Sequence, residues 1–193
     1  KIVPTTKPKK VAVIGGGIGG MECALVLKRR GHKPVIFEKT DRLGGLFITA
    51  SSMSFKENDK QLIEWYKKEI ARNGIEVRFN TEINDIKTLG GFDEIIVATG
   101  SVPRKMPIPG FDKTMTLTEL LAEKKPVGDK VIVFGGGQSG CEAALELVLQ
   151  GKHPIIVEYA KDLVPAQNVC LSNASFLRDV LEYHKVPTYL EHT

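Results

Sequence analysis

The sequence VAVIGGGIGG at residues 11–20 decides the fold of this chain. Residues 11–14 are apolar, rich in β-branched side chains and free of polar alternation, as in a parallel strand that is covered on both faces. Gly15, Gly17 and Gly20 follow at the G-x-G-x-x-G spacing, which permits a tight turn and close helix packing. The stretch therefore predicts a strand, a glycine turn and a helix whose N-terminal N–H groups bind the pyrophosphate of a dinucleotide.

A second strand and an acid strengthen this interpretation. Residues 34–37 form another apolar run, which ends in Glu38. A carboxylate at the end of the second strand, about 20 residues beyond the glycines, is the usual acceptor for ribose hydroxyls. A G-x-G-x-x-G alone is weak evidence, but strand, helix, strand and acid occur here in the order that a dinucleotide site requires.

The same pattern occurs twice. Residues 11–38 align without a gap on residues 131–158, and 14 of the 28 aligned positions are identical. The offset is 120 residues throughout, so that Glu38 corresponds to Glu158. A single repeat of this length is typical of two nucleotide-binding βαβ units, since solenoid repeats are much shorter. The sequence thus predicts two dinucleotide sites.

The fold class that follows is α/β, with Rossmann-like parallel sheets and crossover helices in two tandem dinucleotide-binding units, the second incomplete. Prolines at 103, 107 and 109 predict an extended crossing segment that no helix accommodates. We therefore expect a first domain at 1–109 and a partial second domain at 110–193.

Other segments complete the prediction. The amphipathic pattern at 59–72 predicts a helix, with Trp65 and Tyr66 expected in the core. A capping box at Thr116 and Glu119 predicts a short helix that ends at Glu123. The remaining predicted elements are strands at 75–79, 93–100 and 186–190 and a helix at 174–184.

Composition narrows the function classes. The chain has 193 residues and a net charge of +4 from scattered basic residues, which does not favour nucleic-acid binding. No apolar segment approaches the ~20 residues of a membrane span, and no secretory signal is recognisable. The three cysteines and four histidines lack the spacing of metal or iron–sulfur ligands. We expect a reduced, cytoplasmic protein without a metal site.

These motifs resemble those of the two-dinucleotide-binding flavoprotein reductases. The shared features are the fingerprint that ends in Glu38, the Leu-Gly-Gly loop at 43–45, the strand at 93–100 that ends in Ala-Thr-Gly, the Ile-Pro-Gly crossing at 108–110 and the fingerprint that ends in Glu158. Within that superfamily the chain most resembles the C-terminal reductase part of the 2-enoate reductase and 2,4-dienoyl-CoA reductase group, which is fused to an old-yellow-enzyme-like barrel.

The resemblance implies FAD, or only its ADP half, at the first site and a nicotinamide dinucleotide at the second. It nominates no catalytic side chain, because the cofactors carry the chemistry. The cofactor-binding residues that it implies are Gly15, Gly17, Ile18, Gly19, Gly20, Glu38, Lys39, Arg42, Gly44, Gly45, Ile83, Ala98, Thr99 and Gly100 at the first site, and Gly135, Gly137, Gln138, Ser139, Gly140 and Glu158 at the second.

Glu158 also bears on the choice of nucleotide. A carboxylate at this position accepts from ribose hydroxyls and repels a 2′-phosphate, which favours NADH over NADPH, although Lys161 could partly offset the repulsion.

The resemblance implies a module that passes hydride from NADH to FAD. Electrons would continue to an iron–sulfur cluster and FMN in a parent domain that reduces activated C=C bonds. The parent protein is expected to be a homo-oligomer, and neither a nucleic-acid nor a membrane partner is expected. The family's later Gly-Asp segment, which completes the flavin site, has no counterpart before Thr193. Two alternatives remain open: a structural module that holds ADP, as in trimethylamine dehydrogenase-like proteins, and a stand-alone NADH oxidase or ferredoxin reductase.

Overall fold

The computed structural model describes residues 2–103, 106–165 and 170–192. The chain divides into two compact units. The first consists of Lys1–Ser52 and Lys56–Thr114, and the second of Met53–Phe55 and Met115–Thr193. Arg104 and Lys105, which belong to the predicted proline-rich crossing segment, lie outside the described residues.

The first unit is built on a parallel sheet of four strands in the order β3-β2-β1-β4. The two central strands are buried on both faces, as their unbroken apolar runs predict. The four strands are β1 (Lys10–Ile14), β2 (Lys33–Phe37), β3 (Glu76–Arg78) and β4 (Glu94–Val97).

The α-helices among the described residues of the first unit are α1 (Ile18–Arg29), α2 (Phe47–Ala50) and α3 (Glu57–Arg72). α1 is the crossover between β1 and β2, and it contributes Met21 and Leu25 to the core. The expectation that Trp65 is a core residue is wrong, since its side chain is 45% exposed. Ile63 and Ile70 form the buried stripe of α3, and Trp65 lies outside that stripe.

The second unit repeats the arrangement with a parallel sheet in the order β5-β6-β7. A crossover helix again joins its first two strands. The predicted α/β class with parallel sheets and crossover helices is thereby confirmed in both units. The elements are β5 (Lys130–Phe134), α4 (Gln138–Leu149), β6 (His153–Val157), α5 (Leu171–Tyr183) and β7 (Thr188–Tyr189).

A short stretch from early in the chain also belongs to the second unit. Met53 is buried there, and the Ser54 N–H and hydroxyl both donate to Glu146 Oε2 on α4, at 2.8 Å each. The buried Glu146 carboxylate is thus hydrogen-bonded, as a charged group in a core must be.

The structural similarity between the two units extends beyond the aligned segments that end at Glu38 and Glu158. The Glu38 N–H donates to the Arg78 carbonyl, and the Glu38 carbonyl accepts from the Thr81 N–H, each at 2.9 Å. Asn80, with φ of 51°, donates to the Thr40 carbonyl at 2.9 Å. This hydrogen-bonded turn joins the ends of the second and third strands.

The second unit builds the same turn from different residues. The Glu158 N–H donates to Tyr189, and the Glu158 carbonyl accepts from His192, at 2.8 and 3.1 Å. Glu191, with φ of 57°, donates to the Ala160 carbonyl at 3.1 Å. Tyr189 lies only 111 residues after its counterpart Arg78, so the ungapped sequence alignment cannot detect this part of the repeat.

The two sheets differ on one face. Ala12 and Ile14 of β1 are 0% and 7% exposed, because Leu89 and its neighbours cover them. The equivalent residues of β5, Ile132 and Phe134, are 68% and 54% exposed. The second sheet therefore has one apolar face that the described residues leave open.

The capping box of the predicted short helix is formed. Thr116 N–H and hydroxyl donate to Glu119 Oε2 at 2.8 Å, and Glu119 N–H returns a bond to Thr116 Oγ1 at 3.3 Å. The helix itself, Thr118–Ala122, is a π-helical turn. Among the described residues, no helix is long and apolar enough to span a membrane.

Candidate functional site

The first glycine loop joins β1 to α1 at the carboxyl edge of the sheet. Gly15 has φ of 110° and donates to the Phe37 carbonyl at 2.8 Å. A Cβ at Gly15 would lie 2.3 Å from the Ala98 carbonyl oxygen, and one at Gly20 would lie 1.9 Å from the Gly15 carbonyl oxygen. These two positions require glycine because backbone atoms occupy the space of a side chain.

The space beside the helix N-terminus is open. In the described part of the chain, no heavy atom lies within 4 Å of a Cβ built at Gly17 or at Gly19. The first helical hydrogen bond runs from Met21 to the Gly17 carbonyl, so the N–H groups of residues 18–20 have no partner within the helix. No described side chain caps α1, and its first turn has no acidic residue. An anion fits this end of the helix.

Glu38 is only 6% exposed, and its carboxylate contacts the glycine loop directly. Oε2 accepts from the Gly16 N–H at 2.7 Å, while Oε1 accepts from the Thr40 N–H and hydroxyl at 2.8 Å each. Burial raises the pKa of this carboxyl, but the hydrogen bonds from Thr40 and Gly16 outweigh burial and hold the pKa below its ordinary value of 4.5. The carboxylate is therefore charged at neutral pH.

The loop after Glu38 folds back onto the glycines. Gly44 donates to the Gly16 carbonyl at 2.9 Å and forms a parallel bridge with Gly17. Gly45 approaches Gly17, since a Cβ on Gly45 would lie 3.1 Å from the Gly17 Cα. Lys39 and Arg42 are exposed on this loop. Two predicted site residues, Gly44 and Gly45, thus lie next to the glycine loop.

The end of β4 completes the first cluster. The Ala98 N–H donates to the Ile14 carbonyl at 2.8 Å, which places residues 98–100 beside the start of the glycine loop. Thr99 and Gly100 are exposed. Ile83 packs against the hydrophobic cluster that contains Ile14 and Phe37, the residues before Gly15 and Glu38.

The second glycine loop repeats the geometry of the first. Gly135 has φ of 102° and donates to the Val157 carbonyl at 2.8 Å. A Cβ at Gly140 would lie 1.9 Å from the Gly135 carbonyl oxygen, whereas one at Gly137 would meet no described atom within 4 Å. The N-terminus of α4 also lacks a cap from any described side chain, and its first turn has no acidic residue.

Glu158, 6% exposed, takes the place of Glu38. Its Oε2 accepts from the Gly136 N–H, and its Oε1 accepts from the Ala160 N–H at 2.7 Å. The Cys141 thiol donates to the Gly136 carbonyl at 3.2 Å. Burial, together with the nearby Glu158 charge, raises the pKa of Cys141 to about 12, so this cysteine is not a nucleophile at neutral pH.

The remaining residues nominated at the second site lie in the first turn of α4. Ser139 is exposed, and the Gln138 side chain donates to Glu142 Oε1 at 3.0 Å. The segment after Glu158 folds back as in the first unit, with the Val164 N–H bonded to the Gly136 carbonyl at 2.7 Å. Val164 has φ of 46°, a strained value for a β-branched residue at the position equivalent to Gly44.

Sequence reasoning missed the residues that hold the two carboxylates. Gly16 and Gly136 donate to them, and a Cβ at either position would lie 2.5–2.6 Å from a leucine side chain. Thr40 was also missed. The sequence repeat could have indicated a role for Gly16 and Gly136, because all three consecutive glycines occur in both copies.

Each unit thus has an open, uncapped helix N-terminus with a buried carboxylate beside it, an arrangement that fits the pyrophosphate and ribose of a dinucleotide. The family model described as pyridine nucleotide-disulphide oxidoreductase matches residues 1–91 and 88–193. The chain belongs to this family. Membership implies binding of FAD and of a nicotinamide dinucleotide, and it confirms the flavoprotein-reductase resemblance.

Relatives of this oxidoreductase chain are longer proteins. It is 40% identical over 181 residues to cinnamate reductase of Clostridium sporogenes, covering 92% of the chain and 27% of the relative. It is 37% identical over 163 residues to NADH oxidase of Thermoanaerobacter brockii, covering 80% and 25%. The chain therefore spans about a quarter of the length of these curated relatives.

A solved structure supports the same placement. A 2-naphthoyl-CoA reductase in complex with 2-naphthoyl-CoA matches the whole oxidoreductase chain with a TM-score of 0.88 and 30% identity, over 29% of its own length. The cysteines at 23, 141 and 170 are free. Among the described residues, no group of three His, Cys, Asp or Glu side chains could hold a metal ion.

Proposed function

We propose that this chain is the FAD- and NADH-binding reductase module of a larger flavoprotein, with FAD at the first site and NADH at the second. The observation that carries the proposal is the duplication within one chain of an open helix N-terminus beside a buried carboxylate. Residues 1–109 would be the FAD domain, and residues 110–193 part of the NADH domain.

Each group of residues has a defined task. The N–H groups at the start of α1 and α4 would hold the two pyrophosphates, and Glu38 and Glu158 would accept ribose hydroxyls. A bound FAD would accept a hydride from NADH and would pass electrons on to a further redox centre. The protein contributes position and electrostatics, and we nominate no catalytic side chain.

The parent protein would use these electrons to reduce activated C=C bonds, such as those of 2-enoates or 2,4-dienoyl-CoA thioesters. The names of two similar proteins, a cinnamate reductase and a 2-naphthoyl-CoA reductase, support this substrate class. FMN and an iron–sulfur cluster would lie in the parent's old-yellow-enzyme-like domain. We further infer a cytoplasmic homo-oligomer that has neither a nucleic-acid nor a membrane partner.

The cofactors of the purified parent protein test the proposal. After denaturation, chromatography should find FAD and FMN in equal amounts. ADP with FMN but without FAD would contradict the reductase function and would instead indicate a nucleotide-binding structural module. A parent protein that lacks the barrel would indicate a stand-alone NADH oxidase or ferredoxin reductase.

The preference for NADH is also proposed. Glu158 is buried with its charge at the second loop, where a 2′-phosphate would be repelled, whereas Lys161 is exposed. In the parent protein, Glu158→Arg should move the ratio of kcat/KM for NADH over NADPH toward NADPH by about tenfold or more, the value of one charge-assisted hydrogen bond. Lys161→Ala serves as the control and should favour NADH further. An unchanged ratio in Glu158→Arg would contradict the assignment of the second site.

A further inference from the structure

The two carboxylates at the nucleotide sites differ in how many hydrogen bonds they accept from the chain. Among the described residues, Glu38 accepts three: one on Oε2 from the Gly16 N–H, and two on Oε1 from the N–H and hydroxyl of Thr40, at 2.7, 2.8 and 2.8 Å. Oε1 of Glu38 therefore has both of its acceptor positions filled.

Glu158 accepts only two hydrogen bonds from the described residues. The Gly136 N–H donates to Oε2, and the Ala160 N–H donates to Oε1 at 2.7 Å. Ala160 stands 120 residues after Thr40, at the equivalent position of the repeat, and it has no hydroxyl. As far as the described residues go, each oxygen of Glu158 therefore keeps one free acceptor position.

The hydroxyl of Thr40 is not needed to orient the carboxylate. In both units one backbone N–H binds each carboxylate oxygen, and the glutamates are equally buried at 6% exposure. Glu158 reaches this geometry opposite an alanine. What the Thr40 hydroxyl adds is occupation of an acceptor position that a ribose hydroxyl could use.

The Thr40 hydroxyl has a second acceptor within reach. Its Oγ1 lies 3.0 Å from the Arg42 carbonyl oxygen and 2.8 Å from Glu38 Oε1. A hydroxyl donates one proton to one acceptor at a time. The carboxylate is both charged and nearer, and a charge-assisted bond is about twice as strong as a neutral one, so the proton stays with Glu38.

We propose that Thr40 and Ala160 determine how many ribose hydroxyls each site recognises. Glu158 accepts both hydroxyls of an adenosine ribose, one on each oxygen. Glu38 accepts one hydroxyl, on Oε2, because the Thr40 hydroxyl occupies the other oxygen. This inference rests on the proposed function, in which the adenosine ribose of each dinucleotide lies at these carboxylates.

Deoxy analogues of the nucleotides test the second site in the purified parent protein. NAD⁺ and its adenosine 2′-deoxy and 3′-deoxy analogues are titrated, and dissociation constants are measured. Both analogues should bind about tenfold more weakly than NAD⁺, the cost of one hydrogen bond to a charged group. In Ala160→Ser, only one of the two analogues should still be weakened relative to NAD⁺. Ala71→Ser, at an exposed position on α3, should behave as wild type.

The reciprocal variant tests the first site. The parent apoprotein is reconstituted with FAD and with its adenosine 2′-deoxy and 3′-deoxy analogues. In the wild-type protein one analogue should bind about tenfold more weakly than FAD, and in Thr40→Ala both should. Thr40→Ser restores the hydroxyl and should restore the wild-type pattern. Since only the number of discriminated hydroxyls is compared, a general loss of stability cannot imitate the result.

The outcomes separate this inference from the proposed function. A wild-type protein that binds neither FAD nor NAD⁺ would contradict the proposed function. Binding of both cofactors with the same analogue pattern at the two sites, or a pattern that Thr40→Ala and Ala160→Ser leave unchanged, would overturn only the role of positions 40 and 160.

Discussion

The two glycine loops have nearly the same backbone in different surroundings. Gly15 and Gly135 have φ of 110° and 102°, and in both units the last glycine of the fingerprint packs against the carbonyl of the first. Gly15 also faces the Ala98 carbonyl just after β4, whereas no described heavy atom lies within 4 Å of a Cβ position at Gly135. The local strand–turn–helix sequence therefore determines the backbone geometry of each glycine loop. The neighbouring strands determine how many further atoms pack against that loop.

The close packing of the last fingerprint glycine, which both loops share, predicts the largest loss of stability. Gly20→Ala and Gly140→Ala should each destabilise their unit by more than about 3 kcal/mol, above the usual cost of overpacking, because a Cβ would lie 1.9 Å from a backbone carbonyl oxygen that cannot move aside. Urea unfolding followed by fluorescence of Trp65, the single tryptophan, reports on the first unit. Hydrogen exchange reports on the second.

The neighbouring glycine provides the matched control for these variants. A Cβ at Gly19 meets no described atom within 4 Å, and alanine has the higher helix propensity by up to about 1 kcal/mol. Gly19→Ala should therefore leave the unfolding midpoint unchanged or raise it. Equal losses in Gly19→Ala and Gly20→Ala would show that the close contact with the Gly15 carbonyl is not what requires glycine.

The differing part of the comparison predicts a smaller effect. Gly135→Ala introduces backbone strain alone, about 1–2 kcal/mol, since a positive φ disfavours L side chains. Gly15→Ala adds a clash at 2.3 Å with the Ala98 carbonyl and should cost about 3 kcal/mol. The free energies of unfolding of both variants are measured as before. Equal losses of unfolding free energy in Gly15→Ala and Gly135→Ala would show that packing against the neighbouring strand does not affect the cost of the substitution.

A third effect is specific to the first unit and depends on pH. Glu38 has a folded-state pKa below 4.5, so its contribution to stability is present above the unfolded pKa and is lost as the pH falls through the folded pKa. Glu38→Gln should cost about 1–2 kcal/mol at pH 7, and the gap to wild type should narrow as the pH falls below about 4.3, the ordinary pKa of glutamate, and close once the pH is below the folded-state pKa. Urea unfolding at several pH values measures the gap.

The control for this pH series is Glu82→Gln, a change at an exposed residue of the same unit. It should leave stability within about 0.5 kcal/mol of wild type at every pH. A gap between Glu38→Gln and wild type that does not narrow as the pH falls below about 4.3 would mean that shape, and not the carboxylate charge, stabilises the loop.

The sequence predicted most of this framework because the repeat is strong where glycines and buried strands leave few alternatives. The fold class, the crossover helices and the two glycine loops follow from residues 11–38 and 131–158. The turn at Tyr189 was not predictable, since hydrogen bonds between backbone groups build it from dissimilar side chains at a different offset.

The burial and the contacts of individual side chains were harder to predict from the sequence. Amphipathic spacing placed Trp65 near the buried stripe of α3, but a few tens of degrees around the helix axis decide whether a large ring is covered, and Trp65 is 45% exposed. The sequence suggested Glu38 as a ribose acceptor without indicating that the chain's own N–H groups already hold it. Such local hydrogen bonds become visible only with coordinates.

An anaerobic visible spectrum of the purified parent protein, recorded before and after addition of NADH, tests the central claim most directly. If the first loop holds FAD and the second holds NADH, the flavin absorbance should be present and should bleach on addition of NADH. In Gly140→Ala the flavin should remain, and bleaching should be slowed about tenfold or more, because only the second loop is damaged. Bleaching at the wild-type rate in Gly140→Ala, or no bleaching in the wild-type protein, would contradict the account.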